Sequence, residues 1–470
     1  MLVISEPIYT LTSCGVRYTD SIIIMRQPGI FGQMVWDTYT LVLYGFRTPS
    51  DTTQQAITTA LDQAALKLLE AYPFLAGQVI KEGRSSTNSG TYRIVPYAPH
   101  QGKSPVRSKD CADLCPSYDE IVNANAPFSM LDGEVLSPMK GMGYAYPEGS
   151  VMPVFIIQAN FIRGGVLICF ASAHNALDMN GQGVVIRQFA TAARGEGFDP
   201  ELVAAGNQDA DGIVPPLKEG EVALGHEELL QASSLNVVGG PPPGQPGDAP
   251  WRYWRIPHER VMELKKLASE SSGRVSTNDA VTAFFLQRLT AVRIKGGRVD
   301  KAENVQCLRA VDGRKMLKPP VPEGYLGHLV GLASTALPAE QVQSEPLSYV
   351  AGALRESLLK VDDHYIRSLA TLISNTEDKT TIFYPARCQP GKDVLISSWA
   401  QMNLAHCDFG PLLGTPDFIR RPRLVEVPQL AYIMPRTKKN DLDLAASLQN
   451  VDVQGLQEDQ IWTRHVQLIG

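Results

Sequence analysis

In the stretch Ala173-His174-Asn-Ala-Leu-Asp178-Met-Asn-Gly181, a group that titrates near neutrality stands four residues before an acid. An imidazole at 174 could take a proton from a hydroxyl or amine as that group attacks an acyl carbon, which is general-base chemistry. Asp178 is too close in sequence to serve as an independent acid on another face. It is better suited to tying the turn together through a buried ion pair or an Asx-type hydrogen bond. The spacing alone also fits a satisfied histidine at a strand end and an ordinary cap, so the rest of the chain must decide between the two.

The elements that would hold His174 are readable on either side. Val166 to Phe170 is an apolar run suited to a buried strand, and Val154 to Ile162 is a second one, with Arg163-Gly164-Gly165 as a tight hairpin connection between them. Asn180 is expected to cap a helix that carries Val185, Ile186, Phe189 and Ala193 on one face. Strand, turn and helix together would point an imidazole out of a rigid frame into a cleft.

With 470 residues the chain is too long for one compact core, and two domains of roughly 200–250 residues are expected. A hydrophobic share of 44% and a charged share of 20% describe an ordinary globular protein, and a net charge of -6 offers no basic surface to a nucleic acid. The start, Met1-Leu-Val-Ile-Ser-Glu-Pro7, lacks the pattern of a secretory signal, and no apolar stretch is long enough to span a membrane, so a cytoplasmic location is expected. The seven cysteines are odd in number and scattered, which fits reduced thiols better than disulfides or zinc. No metal-spaced ligand set is seen.

Taken in order, Trp36 to Phe46 reads as a strand. Thr52 opens a helix with Ile57, Leu61, Ala65, Leu68 and Leu69 on one face, which Pro73 ends before Gly77. Gly83 to Gly90 is a hairpin loop, and residues 98 to 120 read as an irregular surface connection. Gly239-Gly-Pro-Pro-Pro-Gly-Gln-Pro-Gly-Asp-Ala-Pro250 cannot form a helix or inner strand, which places the domain boundary there. Trp251 to Ile256 resumes as a strand. Ser276-Thr277-Asn-Asp279 is a capping-box-like start to a helix whose unpaired amides and hydroxyls suit an anion, while simple capping accounts for any single residue there. Val305 to Val311 is a strand leading to Asp312-Gly-Arg314, and Leu347 to about Leu372 reads as helical. Further strands are expected at Val394 to Trp399, Leu424 to Met434 and Leu442 to Leu448, with a glycine-bounded turn at Asp408 to Gly414.

Six segments then agree with one family in its own order: Tyr72-Pro-Phe-Leu-Ala-Gly77, His174-x-x-x-Asp178 with Gly181, Ser276-Thr-Asn-Asp-Ala280, Val311-Asp-Gly-Arg314 with Tyr325-Leu-Gly327, Ser398-Trp399, and Asp408-Phe-Gly410. The chain resembles the acyl-CoA-dependent acyltransferases called BAHD, in particular the fungal branch that includes the trichothecene 3-O-acetyltransferases. The resemblance implies an α/β fold of two similar domains. Each is a mixed sheet with helices, like chloramphenicol acetyltransferase, and a long crossover loop joins them around an active-site channel. It implies an N-terminal domain over 1–235, the crossover over 236–250 and a C-terminal domain over 251–470.

The resemblance also assigns roles. His174 would be the general base, and Asp178 would hold the motif by pairing with an arginine, for which Arg314 is the candidate. Ser276 and Thr277 would lie near the CoA phosphates, and Ser397 and Trp399 near the reacting carbonyl, with Ser397 stabilising the oxyanion. Gly181, Asp408 and Gly410 would maintain the shape of the fold. The implied co-substrate is acyl-CoA, acetyl-CoA first, with no permanently bound cofactor and no metal. The implied acceptor is a small-molecule alcohol of fungal specialised metabolism, such as a terpenoid, alkaloid or polyketide, and a monomer without an obligatory protein partner is expected.

Two departures stand out. Pro411-Leu-Leu-Gly414 follows Asp408-Phe-Gly410 where the family usually has Trp-Gly, and His328 follows Tyr325-Leu-Gly327 where it usually has Asn. The alternative within the same fold is transfer from a carrier-protein thioester, or release or cyclisation of a polyketide. A serine-triad hydrolase would need a Gly-x-Ser-x-Gly elbow, which is absent. The remaining alternative, a binding protein without turnover, conflicts with an intact His174 and Asp178.

Overall fold

The computed structural model describes residues 11–12, 15–18, 21–23, 26–49, 51–234, 248–270 and 273–470. The proline-rich boundary lies outside these residues except for 248–250. The fold is mixed α/β, built around two principal sheets.

The first sheet has five strands in the order Phe418–Arg420, Tyr39–Arg47, Gly165–Ala173, Phe155–Ile162 and Val106–Asp110. Its central strands form near-continuous apolar runs because both faces are covered, and every residue from Gly165 to Ala173 is buried. The helices Gln54–Ala71 and Met179–Ala193 pack against each other beside it. The second sheet has seven strands in the order Val330–Pro338, Asn304–Asp312, Val394–Ser398, Leu430–Ile433, Leu442–Ser447, Trp251–Ile256 and Gln467–Leu468. Val394–Ser398 runs parallel to both of its neighbours, and the other pairs are antiparallel. The helix Thr277–Lys295 is almost wholly buried beneath this sheet, against Leu347–Leu359 and His258–Ala268.

The two halves interleave. Phe418–Arg420 comes from the C-terminal part of the chain but pairs with Tyr39–Arg47 in the first sheet, through Ile419 opposite Tyr44. Phe409 travels with it and packs among Tyr44, Phe46, Phe170 and Phe189, with ring centroids 5.0–6.2 Å away. In the other direction, residues from the first half lie on the second: Leu217 donates to Thr371, Leu224 to Ser368, and Leu229 accepts from Phe383.

Four sequence expectations are corrected. Within 98–120, Val106–Asp110 forms an edge strand parallel to Phe155–Ile162, and Tyr118–Asn123 forms a helix. The edge strand is largely solvated, so Val-Arg-Ser-Lys-Asp shows no apolar alternation. The helix after His174 is capped by Asp178, not Asn180, and begins at Met179. The run from Leu347 to Leu372 is two helices, Leu347–Leu359 and Asp363–Asn375, divided where Asp362 accepts from the Tyr365 amide as a new cap. The strand expected over Leu424 to Met434 covers only Leu430–Ile433.

Candidate active site

His174 leaves the end of the Gly165–Ala173 strand, where its amide donates to the Thr38 carbonyl at 2.9 Å. Its ring is fixed by two contacts at Nδ1, one to the Leu177 carbonyl oxygen at 3.2 Å and one to Thr40 Oγ1 at 3.0 Å. A carbonyl only accepts, so Nδ1 carries the proton and Nε2 keeps its lone pair. Among the described residues, no group hydrogen-bonds to Nε2. Burial lowers the pKa of His174, against the raising effects of the Leu177 hydrogen bond and the Asp178 charge, so the ring is neutral at physiological pH.

The Asp178 carboxylate forms no hydrogen bond to the imidazole. Arg314 grips it with both Nη atoms, at 2.7 Å to Oδ2 and 3.0 Å to Oδ1. The Gly181 amide donates to Oδ1 and the Leu329 amide to Oδ2, each at 2.9 Å. Burial works against ionisation of Asp178, yet the charge and hydrogen bonds of Arg314 hold its carboxyl below the usual range. Arg314 is itself saturated, giving further hydrogen bonds to the carbonyls of Tyr325 at 3.1 Å and Gly327 at 2.7 Å and to Asp312 at 3.0 Å. Gly181 permits this closeness, since a Cβ there would sit 2.0 Å from the Leu326 carbonyl oxygen. Asp178 and Arg314 thus lock the helix start onto the Tyr325–Leu329 segment and set the position of the His174 turn.

His174 lines a cavity of about 1700 Å³ between the halves of the molecule. Thr40, Trp36 and Tyr39 line it from one side, and Ser276, Thr277, Ser397, Trp399 and Tyr432 from the other. Ser397 Oγ accepts from Trp399 Nε1 at 3.2 Å, which leaves the Ser397 hydroxyl proton free to be donated elsewhere. Ser276 forms the capping box that its spacing to Asp279 suggests. Its amide and hydroxyl both donate to Asp279 Oδ2, at 2.7 and 2.8 Å, so the capping box consumes the groups that were to meet an anion. Cations supply the positive charge on the lining instead, among them Lys265, Arg274, Lys315, Arg355 and Arg436.

Asp408 and Gly410 lie outside the cavity lining. Asp408 Oδ1 accepts from the Gly410 amide at 2.9 Å, Gly410 takes a φ of +85°, and the loop closes with the Phe409 amide donating to the Gly414 carbonyl at 2.8 Å. This loop anchors Phe409 in the first core.

Sequence reasoning did not find Thr40, Tyr384 or Arg421. Thr40 meets His174 only through the pairing of two strands far apart in sequence, with Ser172 opposite Thr40. His328, noted only as a departure, donates from Nδ1 to the His174 carbonyl oxygen at 2.9 Å, and Tyr384 Oη lies 3.3 Å from its Nε2. Among the described residues, no helix is long and apolar enough to cross a membrane.

Comparison with known proteins matches residues 38–193 to a trichothecene 3-O-acetyltransferase-like N-terminal domain and residues 134–462 to the Transferase family. The O-acyltransferase pigD of Monascus ruber is 34% identical over 95% of this chain and 99% of its own length. The trichothecene 3-O-acetyltransferase TRI101 of Fusarium sporotrichioides is 31% identical over 95% and 96%. The crystal structure of F. graminearum TRI101 complexed with coenzyme A and deoxynivalenol superposes with a TM-score of 0.88 at 30% identity, covering 95% of this chain and 100% of that one.

Proposed function

This chain belongs to the Transferase family, and on that premise we propose that it moves an acyl group from a coenzyme A thioester to the hydroxyl of a small molecule, with His174 as general base. The observation that carries the role of His174 is the fixed ring: Nδ1 is committed to the Leu177 carbonyl, so the lone pair of Nε2 is the one offered to the cavity. The acceptor hydroxyl gives its proton to Nε2 as its oxygen bonds to the thioester carbonyl carbon. The carbonyl becomes an oxyanion, and Ser397, whose hydroxyl proton Trp399 does not take, is the donor we assign to it. Collapse breaks the carbon–sulfur bond, and the leaving thiolate takes the proton back from the imidazolium.

Names and ligands of relatives support the donor and acceptor. Several relatives are called O-acetyltransferases, and the solved structures of TRI101 hold coenzyme A with T-2 or deoxynivalenol. We therefore assign acetyl-CoA as donor and a fungal specialised metabolite as acceptor. The lysines and arginines near Ser276 and Thr277 would face the CoA phosphates. We also assign the enzyme to the cytoplasm, and divide the chain into halves 1–235 and 251–470 joined through 236–250, with Phe418–Arg420 lent to the first half.

The test is His174→Ala. Loss of a general base costs about 10² to 10⁴ in rate, so thiol release from acetyl-CoA should fall by that factor while CoA affinity is retained. Near-normal turnover in the variant would sink the assignment.

A further inference from the structure

Six of the described arginines are buried, and five of them hold a carboxylate: Arg293 with Asp452, Arg309 with Asp279, Arg314 with Asp178, Arg367 with Glu221, and Arg420 with Asp443. Arg421 is the sixth. It is 2% exposed, yet no carboxylate among the described residues lies within ion-pair distance of it and its Nε has no hydrogen-bond partner. Its neighbour Arg420 takes Asp443 at 2.7 Å, and Arg255 takes the same carboxylate from the other side at 2.8 Å, so Asp443 is already committed.

The main chain of Arg421 is pinned, since its amide donates to Tyr253 Oη at 2.7 Å and that hydroxyl donates to the Arg421 carbonyl oxygen at 3.3 Å. Its guanidinium is packed over Tyr432 at 4.1 Å and Trp399 at 5.0 Å from the ring centroids. Both rings, and Arg421 itself, line the cavity that contains His174 and Ser397. The field of Arg421 reaches the His174 imidazole. Aromatic faces offset part of the cost of burying a cation, but they do not supply the in-plane acceptors that a guanidinium fork is shaped for. Of the four carboxylates on the lining, Asp178 and Asp312 are used on Arg314 and Glu426 on the Ala249 amide, and Glu323 forms no ion pair with Arg421.

We propose that Arg421 is the anion-recognition element of the acceptor pocket. The acceptor carries an anionic oxygen group, a carboxylate or an acidic enol or phenol, which pairs with this guanidinium while its alcohol is presented to His174 Nε2. The proposal rests on the acyl-transfer reading for the position of the alcohol, and on the unpaired buried cation for the rest. A charge-assisted pair to a buried guanidinium is strong and directional, so it would select acceptors by charge as well as by shape.

The test compares para-hydroxymethylbenzoate with its methyl ester, which differ in charge and little else near the alcohol. Equilibrium binding is read without acyl-CoA, and acetylation is read by thiol release. The wild-type protein should bind the acid at least about tenfold tighter than the ester. Arg421→Gln should abolish that preference and Arg421→Lys should keep part of it, with CoA affinity unchanged in both. Equal affinity for acid and ester in the wild-type protein would overturn the proposal, and needs no variant to fold. A preference that survives Arg421→Gln would also overturn it. So would an equal fall in kcat for both alcohols at unchanged KM, which would place the guanidinium on the oxyanion instead. If thiol release fails while the binding preference stands, the enzymatic reading falls and the anion site is still supported.

Discussion

His328 donates its Nδ1 proton to the main-chain carbonyl of His174 at 2.9 Å, and the two rings stand edge to face with centroids 4.8 Å apart. The second histidine therefore holds the backbone of the first. Burial, followed by the nearby His174, pushes its pKa down to about 3, so it is neutral in the folded chain. The unfolded chain would titrate near 6.5 at this position. Between those values the unfolded state binds more protons, so folding stability contributed here is present above 6.5 and is lost as pH falls toward 3.

An asparagine at 328 can offer an amide N–H to the same carbonyl without a titrating group. His328→Asn should flatten the acid side of the stability curve. Denaturant unfolding at neutral and mildly acidic pH should show a loss on acidification smaller than in the wild-type protein, by on the order of a few kcal/mol at the acid extreme. An unchanged acid loss would refute this account of His328.

The pH dependence of catalysis follows from His174. Its pKa is lowered by burial, so the unprotonated base persists below 6.5. The acid limb of the kcat/KM profile should fall at a pH below the ordinary histidine value, and a limb at or above that value would mean that another group controls the rate.

Ser397 is offered as the oxyanion donor because its lone pair is taken by Trp399 and its proton is not. Ser397→Ala should lower kcat by about 10² to 10³ with little change in KM, as for other lost oxyanion donors. A change confined to KM would make Ser397 a substrate-positioning group only.

The Asp178 and Arg314 pair is buried and saturated on both sides. Removing one partner should cost about 3–5 kcal/mol, because the other is left buried without its counter-charge. Asp178→Ala and Arg314→Gln should each lower the unfolding midpoint, and the double variant should lose less than the sum. A stable, well-folded Asp178→Ala protein without activity would instead place Asp178 in the chemistry.

The parts of this site readable from sequence are those held by local contacts. The strand, turn and helix around His174 follow one another in an unbroken stretch from Gly165 to Ala193, and the capping box at Ser276 and Asp279 is closed within four residues. The cap lies two residues before the Asn180 that the sequence suggests. Asn180 and Asp178 are both good cap formers, and Asp178 takes the place because Arg314 fixes its carboxylate beside the Gly181 amide. Thr40, His328, Tyr384 and Arg421 join the site through strand pairing and packing between distant segments, and no pattern within any one segment announces that. Ser276 offers two readings from sequence, a capping box and an anion donor, and its amide and hydroxyl are both given to Asp279, as the capping reading requires.

The exchanged strand Phe418–Arg420 has a mechanical consequence. A chain cut between its halves would leave Tyr39–Arg47 as an open edge with bare amides and carbonyls, and would remove the Phe409 plug from beneath Phe170. Neither fragment should be soluble alone, and the halves should melt together. Because they are sewn to one another in this way, a motion that swung the halves apart to admit donor or acceptor would first have to break the pairing of Phe418–Arg420 with Tyr39–Arg47.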